Sequence, residues 1–302
     1  MSPAPIVLFV YNRLYHTMRT IESLQKNLRA CESILYIYSD GPKDENDVEV
    51  VAAVRNYVKG VSGFADVIHV EKEQNKGLAC SIMSGVTDVV SKYGRIVVLE
   101  DDIVTSPFFL TYMNDALNKY QDDEQVMHIA GYMLPINSSG LKETVFYRNT
   151  SCWGWGTWKS AWDKMENNAC LLESKFTEEM KYRFNIDGAY DSWSILDRTC
   201  LGKVDSWAIL WYASVFLSGG VCLHPAKSLT KNIGHDGSGI HCDTSDMYDV
   251  DIYQGLITEF EEVPIENALV LRRIKRYMQI SRIPTIKTIS KRFCKMLTGA
   301  NR

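Results

Sequence analysis

The chain has 302 residues, 46% of them hydrophobic and 23% charged, which excludes a disordered, collagen-like or coiled-coil polypeptide and leaves room for one large α/β domain or two modest ones. Its net charge of −4 conceals a division after Val270: ten of the 33 basic residues lie beyond it and none of the 37 acidic ones do, so the body carries −14 and the remaining segment +10. An acidic body repels phosphate backbones, which argues against nucleic acid as a partner, while a short basic segment suits an anionic surface such as a membrane.

In chain order, PIVLFVYNR (Pro5 to Arg13) reads as a buried strand, and the spacing of Met18, Ile21 and Leu24 predicts a helix over 16–27. ILYIYSDG is a second strand ending in an Asp-Gly turn signal at Asp40 and Gly41. A helix over 44–59, a strand over 65–70 and a helix over 78–93 lead to RIVVLEDD, an apolar strand that stops at Glu100, Asp101 and Asp102. Ser106 as N-cap and Pro107 at the first helical position predict a helix over 106–120. Strands alternating with helices in this way imply an α/β fold with a mostly parallel sheet flanked by helices. Beyond 125 the texture changes, with six of the seven tryptophans between Trp153 and Trp207 and many glycines. With no repeat and no low-complexity linker, 1–265 reads as one domain of two halves, 1–125 and 126–265. Residues 266–302 read as a basic, amphipathic C-terminal helical extension, with Ile286, Ile289, Phe293, Met296 and Leu297 on one face and Lys287, Lys291, Arg292 and Lys295 around the other.

The eight cysteines show no CxxC pair and no framework spacing, so free thiols in a reducing compartment are expected. The first five residues carry no basic n-region, and no apolar run reaches about 18 residues, so neither a leader nor a membrane span is expected. Together these predict a cytoplasmic protein, peripheral on the inner face of the membrane if the basic extension binds there.

In parallel sheets ligands bind beyond the carboxyl ends of the strands. Three predicted strand ends carry polar groups: Asn12 and Arg13, then Asp40, then Glu100 to Asp102. Adjacent carboxylates repel unless a cation neutralises them, and Mg²⁺ or Mn²⁺ prefers oxygen ligands together with substrate phosphates. The competing reading is an acidic loop in front of a capped helix.

FVYNR, IYSDG, NKGLACSI, LEDD, FYRNTSCWGWGTW, VDSW and NIGHDGSGIH follow one another across roughly residues 5 to 245. In that order they resemble inverting glycosyltransferases of the GT-A (Rossmann-like nucleotide-diphospho-sugar transferase) type, most closely the family of N-acetylglucosaminyltransferase I and its bacterial relatives in surface-polysaccharide or O-antigen synthesis. The resemblance implies a UDP-sugar donor, UDP-GlcNAc or another UDP-hexose derivative, and a glycan or lipid-linked oligosaccharide acceptor. It implies that Arg13, Asp40 and Asn75 hold the uracil, that Asp102 ligates Mn²⁺ or Mg²⁺, that Asp101 faces the ribose and that Glu100 faces the donor sugar. It places Trp153 and Gly154 in the donor-sugar and acceptor pocket, and Ser238 and His241 at the diphosphate or metal.

By the same resemblance Asp205, in VDSW, is the catalytic base; the alternative is a helix N-cap for 206–217. Ser206 stands where N-acetylglucosaminyltransferase I carries a second acid. Trp158 and Trp162, four apart, read as core. A zinc site from His235, His241, Cys242 and Asp243 matches no common ligand spacing. Two rival functions are a sugar nucleotidyltransferase, whose glycine-rich N-terminal signature is missing, and a glycan-binding protein of the same fold without turnover.

Overall fold

The computed structural model describes residues 2–236 and 246–281; Ser238, His241, Cys242, Asp243 and the amphipathic stretch 286–297 lie outside them. The strands are β1 (Ile6–Val10), β2 (Ile34–Ser39), β3 (Asp66–Glu71), β4 (Arg95–Glu100), β5 (Ile103–Thr105), β6 (Val126–Ala130), β7 (Thr144–Tyr147), β8 (Trp155–Trp158), β9 (Val221–Pro225) and β10 (Thr230–Asn232). The helices are α1 (Leu14–Gln25), α2 (Val48–Val58), α3 (Leu78–Tyr93), α4 (Phe109–Lys119), α5 (Lys159–Trp162), α6 (Ala169–Glu173), α7 (Glu178–Phe184), α8 (Ser192–Cys200), α9 (Trp207–Leu217) and α10 (Ala268–Ser281).

Among the described residues one eight-stranded sheet runs in the order β3-β2-β1-β4-β8-β6-β9-β7. β1 to β4 are mutually parallel, β6 and β9 run the same way, and only β8 and β7 oppose them. Both halves of the chain therefore share one sheet. Every residue of β1 is buried because the strand is covered on both faces, which is what a run of five apolar residues encodes. Ile6, Leu8 and Val10 face a core shared with α1, α2 and α4, while Val7 and Phe9 face α3, α9 and the tryptophans. Trp155, Trp162, Trp207 and Trp211 pack together there, and Trp158 and Trp162 donate their indole N–H groups to Leu117 O and Thr87 Oγ1, so these rings are core.

Chain order folds outward in two directions from β1. The chain goes from β1 to β2 to β3 on one side, then returns to place β4 on the other side of β1. The carboxyl ends of β1 and β4 thus flank a topological switch point, where an open α/β sheet leaves a crevice.

Two expectations need correction. The helix expected from Ser106 starts at Phe109; Ser106 Oγ accepts from Phe108 N instead, so Ser106 and Pro107 shape the turn that precedes it. Cys170 and Cys200 are joined as a disulfide, while Cys31, Cys80 and Cys222 are free thiols. This pair, 30 residues apart, carries no spacing signal; packing between α6 and α8 brings it together. The C-terminal helical extension begins with α10, which lays Val270, Ile274 and Met278 against Tyr132, Met133, Val145 and Ile186. No helix of the described residues is long and apolar enough to cross a membrane.

Candidate functional site

Arg13 follows β1 and occupies the position before the first turn of α1. Glu100 closes β4, and Asp101 and Asp102 form the turn into β5. The switch-point crevice brings these segments into contact. Arg13 Nη2 bonds to Asp101 Oδ1 and, at 2.8 Å, to Asp102 Oδ2, while its Nε reaches Asp101 Oδ2 at 3.4 Å. The whole residues Asp101 and Asp102 are each only 5% exposed. Burial alone would lower the guanidinium pKa, and the two carboxylates more than reverse that. Burial, followed by repulsion from Asp102 and Asp101, pushes Glu100 well above the usual carboxylate range. Asp101 is raised as well, chiefly by burial, with Arg13 opposing the rise. One guanidinium among three acids leaves the cluster short of positive charge.

The acidic turn is held from two sides. Thr20 Oγ1, on α1, donates to Asp101 O at 2.8 Å, and Ile233 N donates to Asp102 O at 2.9 Å. Antiparallel pairing of β5 with β10 carries the chain from Asn232 back over the carboxylates. At Gly234 any side chain would run into Asp102 Oδ2 and come within 2.9 Å of Arg13 Nη1, so only a bare backbone fits. His16 Nε2, one turn along α1, lies 3.2 Å from Asp236 Oδ2. His16 and Thr20 carry no motif that the sequence-based site includes. A signal existed for both: Arg13, His16, Thr20, Ser23 and Asn27 recur at helical spacing, and His16, Thr20, Ser23 and Asn27 are buried despite being polar.

Asp40, at the end of β2, is 8% exposed and fully engaged with main chain: it accepts from Gly41 N, Lys76 N and Gly77 N, each at 3.0 Å. Asn75 donates to Gly41 O and accepts from Gly77 N. Both side chains therefore shape the 74–77 loop that opens α3. Arg13, expected at a nucleotide base, is paired with the acidic turn in this structure. Alternation along β4 puts Glu100 on the face of Ile96 and Val98, the face that α3 and α9 cover.

Asp205 precedes α9 and is exposed. The N-cap is its neighbour: Ser206 Oγ accepts from Ile209 N at 3.4 Å. Capping thus leaves the Asp205 carboxylate uncommitted. Its Oδ2 is 3.9 Å from the space that a side chain on Gly77 would fill, which sets it beside the start of α3.

β8 runs against its neighbours, so its first residues sit at the same edge as the ends of β4 and β6. Gly154 there takes φ +76°, and its carbonyl accepts from Gly131 N at 2.7 Å. Trp153 is ringed by Tyr132, His235 and Tyr248, with ring centres 4.5 to 5.4 Å away in edge-on contacts. Its indole is the centre of an aromatic box between the acidic turn and the second half of the sheet.

Oxygen donors at a carboxyl edge suit a hard divalent cation. Among the described residues no three His, Cys, Asp or Glu side chains form a cage for one. An ion here would draw on one or two carboxylates and complete its shell with water and ligand phosphates, as Mg²⁺ commonly does.

No protein-family model and no curated protein matches the sequence. Among solved structures, the chain is similar to the mannosyltransferase PcManGT of Pyrobaculum calidifontis, solved with GDP-Man and Mn²⁺, at 9% identity and TM-score 0.42, covering 72% of this chain and 70% of that one. It is similar to TarS 1-349 of S. aureus at 14% identity and TM-score 0.42, covering 76% of this chain and 59% of that fragment. A nucleotide-diphospho-sugar transferase of Desulfovibrio desulfuricans G20, described as putative, shares 16% identity at TM-score 0.34, covering 55% of this chain and 69% of that one.

Proposed function

We propose that the chain is an inverting, metal-dependent glycosyltransferase of the GT-A type that moves a sugar from a UDP-sugar to a glycan hydroxyl. The observation that carries this reading is the buried meeting of Arg13 with Asp101 and Asp102 at the switch point between β1 and β4. Such a crevice is where α/β sheets take nucleotides, and a charge cluster short of cations is suited to a metal-bound diphosphate.

In this reading Asp102 holds Mn²⁺ or Mg²⁺ together with the donor's phosphates, and His241 is a further candidate ligand. When bound, the ion stabilises the charge that develops on the departing nucleoside diphosphate. Asp101 faces the ribose and Glu100 the donor sugar. The 74–77 loop, shaped by Asp40 and Asn75, walls the nucleotide-base side, with Arg13 on the other side. Trp153 and Gly154 bound the sugar pocket, and Ser238 contacts the diphosphate.

Asp205 accepts the proton of the acceptor hydroxyl as its oxygen bonds to the anomeric carbon. The bond from that carbon to the β-phosphate oxygen breaks, and the electron pair leaves with UDP. Asp205 suits this role because it is exposed and Ser206 does the capping. The acceptor is a glycan or lipid-linked oligosaccharide of bacterial surface-polysaccharide synthesis, reached at the inner face of the membrane through the basic C-terminal segment. The test is hydrolysis of a panel of nucleotide sugars with and without Mn²⁺. Metal-stimulated release of UDP from at least one UDP-sugar is expected, and no turnover or binding of any UDP-sugar would overturn the reading.

A further inference from the structure

The carboxylates assigned above to ion and ribose are already occupied by a cation that belongs to the chain. A single terminal nitrogen of Arg13 bonds both Asp101 and Asp102, and the same guanidinium touches Asp101 through Nε. An ion on Asp102 would share a carboxylate whose Oδ2 Arg13 already holds at 2.8 Å, and the two positive charges would repel at close range in a site shielded from water. Ion and guanidinium therefore compete for Asp102.

The mobile partner is identifiable. Bonds from Thr20 Oγ1 and Ile233 N to the carbonyls of Asp101 and Asp102 fix the backbone of the turn, and the two carboxylate side chains are 8% and 7% exposed. The Arg13 side chain is 20% exposed and sits on a long, rotatable stem. Gly234 leaves no side chain in its way.

We infer that Arg13 is a resident counter-ion that a divalent cation must displace from Asp101 and Asp102, and that the displaced guanidinium then turns to the anionic nucleotide diphosphate. This rests on the sugar-nucleotide reading for its second half only. Without donor, Arg13 offsets part of the charge of the buried acids and opposes the ion; with donor, ion and diphosphate replace the internal pair together. The two ligands are then coupled, since each strengthens the other by removing the same guanidinium.

The experiment is titration of the full chain with Mn²⁺ alone, reading free ion by its electron paramagnetic resonance signal, then repeating with UDP. Arg13→Gln is expected to bind Mn²⁺ about tenfold more tightly than wild type without nucleotide, within the range common for coupled sites. It is expected to lose most of the gain that UDP brings to wild type. Arg13→Lys, which keeps the positive charge but loses the second contact that Nε makes to Asp101, should fall between the two. It decides the matter if the Gln variant does not fold. Mn²⁺ binding by the folded variants that is no tighter than wild type would overturn the counter-ion role, even where wild type binds Mn²⁺ and UDP together. Tighter Mn²⁺ binding by the variants, with no UDP binding by any of them, would support the counter-ion role and overturn the sugar-nucleotide reading instead.

Discussion

At the residue scale, neighbouring acids divide by what surrounds them. Asp101 and Asp102 are buried under Gly234 and tied to Arg13, whereas Asp205 stands exposed at a helix start with its capping task taken by Ser206. A group that is fastened serves binding; a group that is exposed and uncommitted is available to take a proton. Asp205→Asn is therefore expected to lower kcat by about 10²- to 10⁴-fold, the range for loss of a general base, with donor affinity changed by less than about twofold. Rates and UDP binding measured on the same preparation check this. A variant that keeps its rate, or loses rate and affinity together, would remove Asp205 from the base role.

At the scale of elements, the loop that opens α3 depends on one side chain. Asp40 accepts main-chain N–H groups from Gly41, Lys76 and Gly77, so Asp40→Ala leaves partly buried donors unsatisfied, at about 1–3 kcal/mol. Urea unfolding should register that loss, and proteolysis should cut faster within 72–77. An unchanged midpoint with an unchanged cleavage pattern would mean that the loop is held by something other than Asp40. Sequence patterning reads this level well where periodicity is strong: β1, β2, β4 and α3 follow from buried apolar runs and from helical spacing. It fails where tertiary contacts decide. The start of α4 is shifted because Ser106 shapes a turn, and the Cys170–Cys200 pair depends on packing of α6 against α8. Within the site, the acids and Arg13 were legible as strand ends. Their mutual contact was not, because it depends on β4 lying beside β1, and chain order alone does not fix which strands are neighbours.

At the scale of the whole molecule, the second half of the sheet is anchored by a buried imidazole. His128 Nδ1 accepts from Trp211 Nε1 at 3.1 Å and its ring stacks on Trp155, so the neutral form is the one that fits. Burial, with His224 nearby, pushes its pKa down to about 3, while an unfolded histidine titrates near about 6.5. Between these values the unfolded chain binds the extra proton. The stabilisation is complete above about pH 6.5 and is lost as pH falls toward the folded value, by up to about 1.4 kcal/mol per pH unit. Urea unfolding followed by tryptophan fluorescence at pH 7 and pH 5 should show a steeper loss for wild type than for His128→Gln. Equal slopes would contradict the buried neutral state.

The sheet places the polar ends of β1, β2 and β4, the start of β8 and the approach to α9 along one edge, the edge proposed to work on sugar nucleotides. The most direct measurement is Mn²⁺-stimulated hydrolysis of UDP-sugars by wild type beside Asp102→Asn. UDP release by wild type, strongly reduced in the folded Asp102→Asn variant, is the predicted result. Hydrolysis that proceeds equally in both, or that no UDP-sugar elicits from wild type, would contradict it.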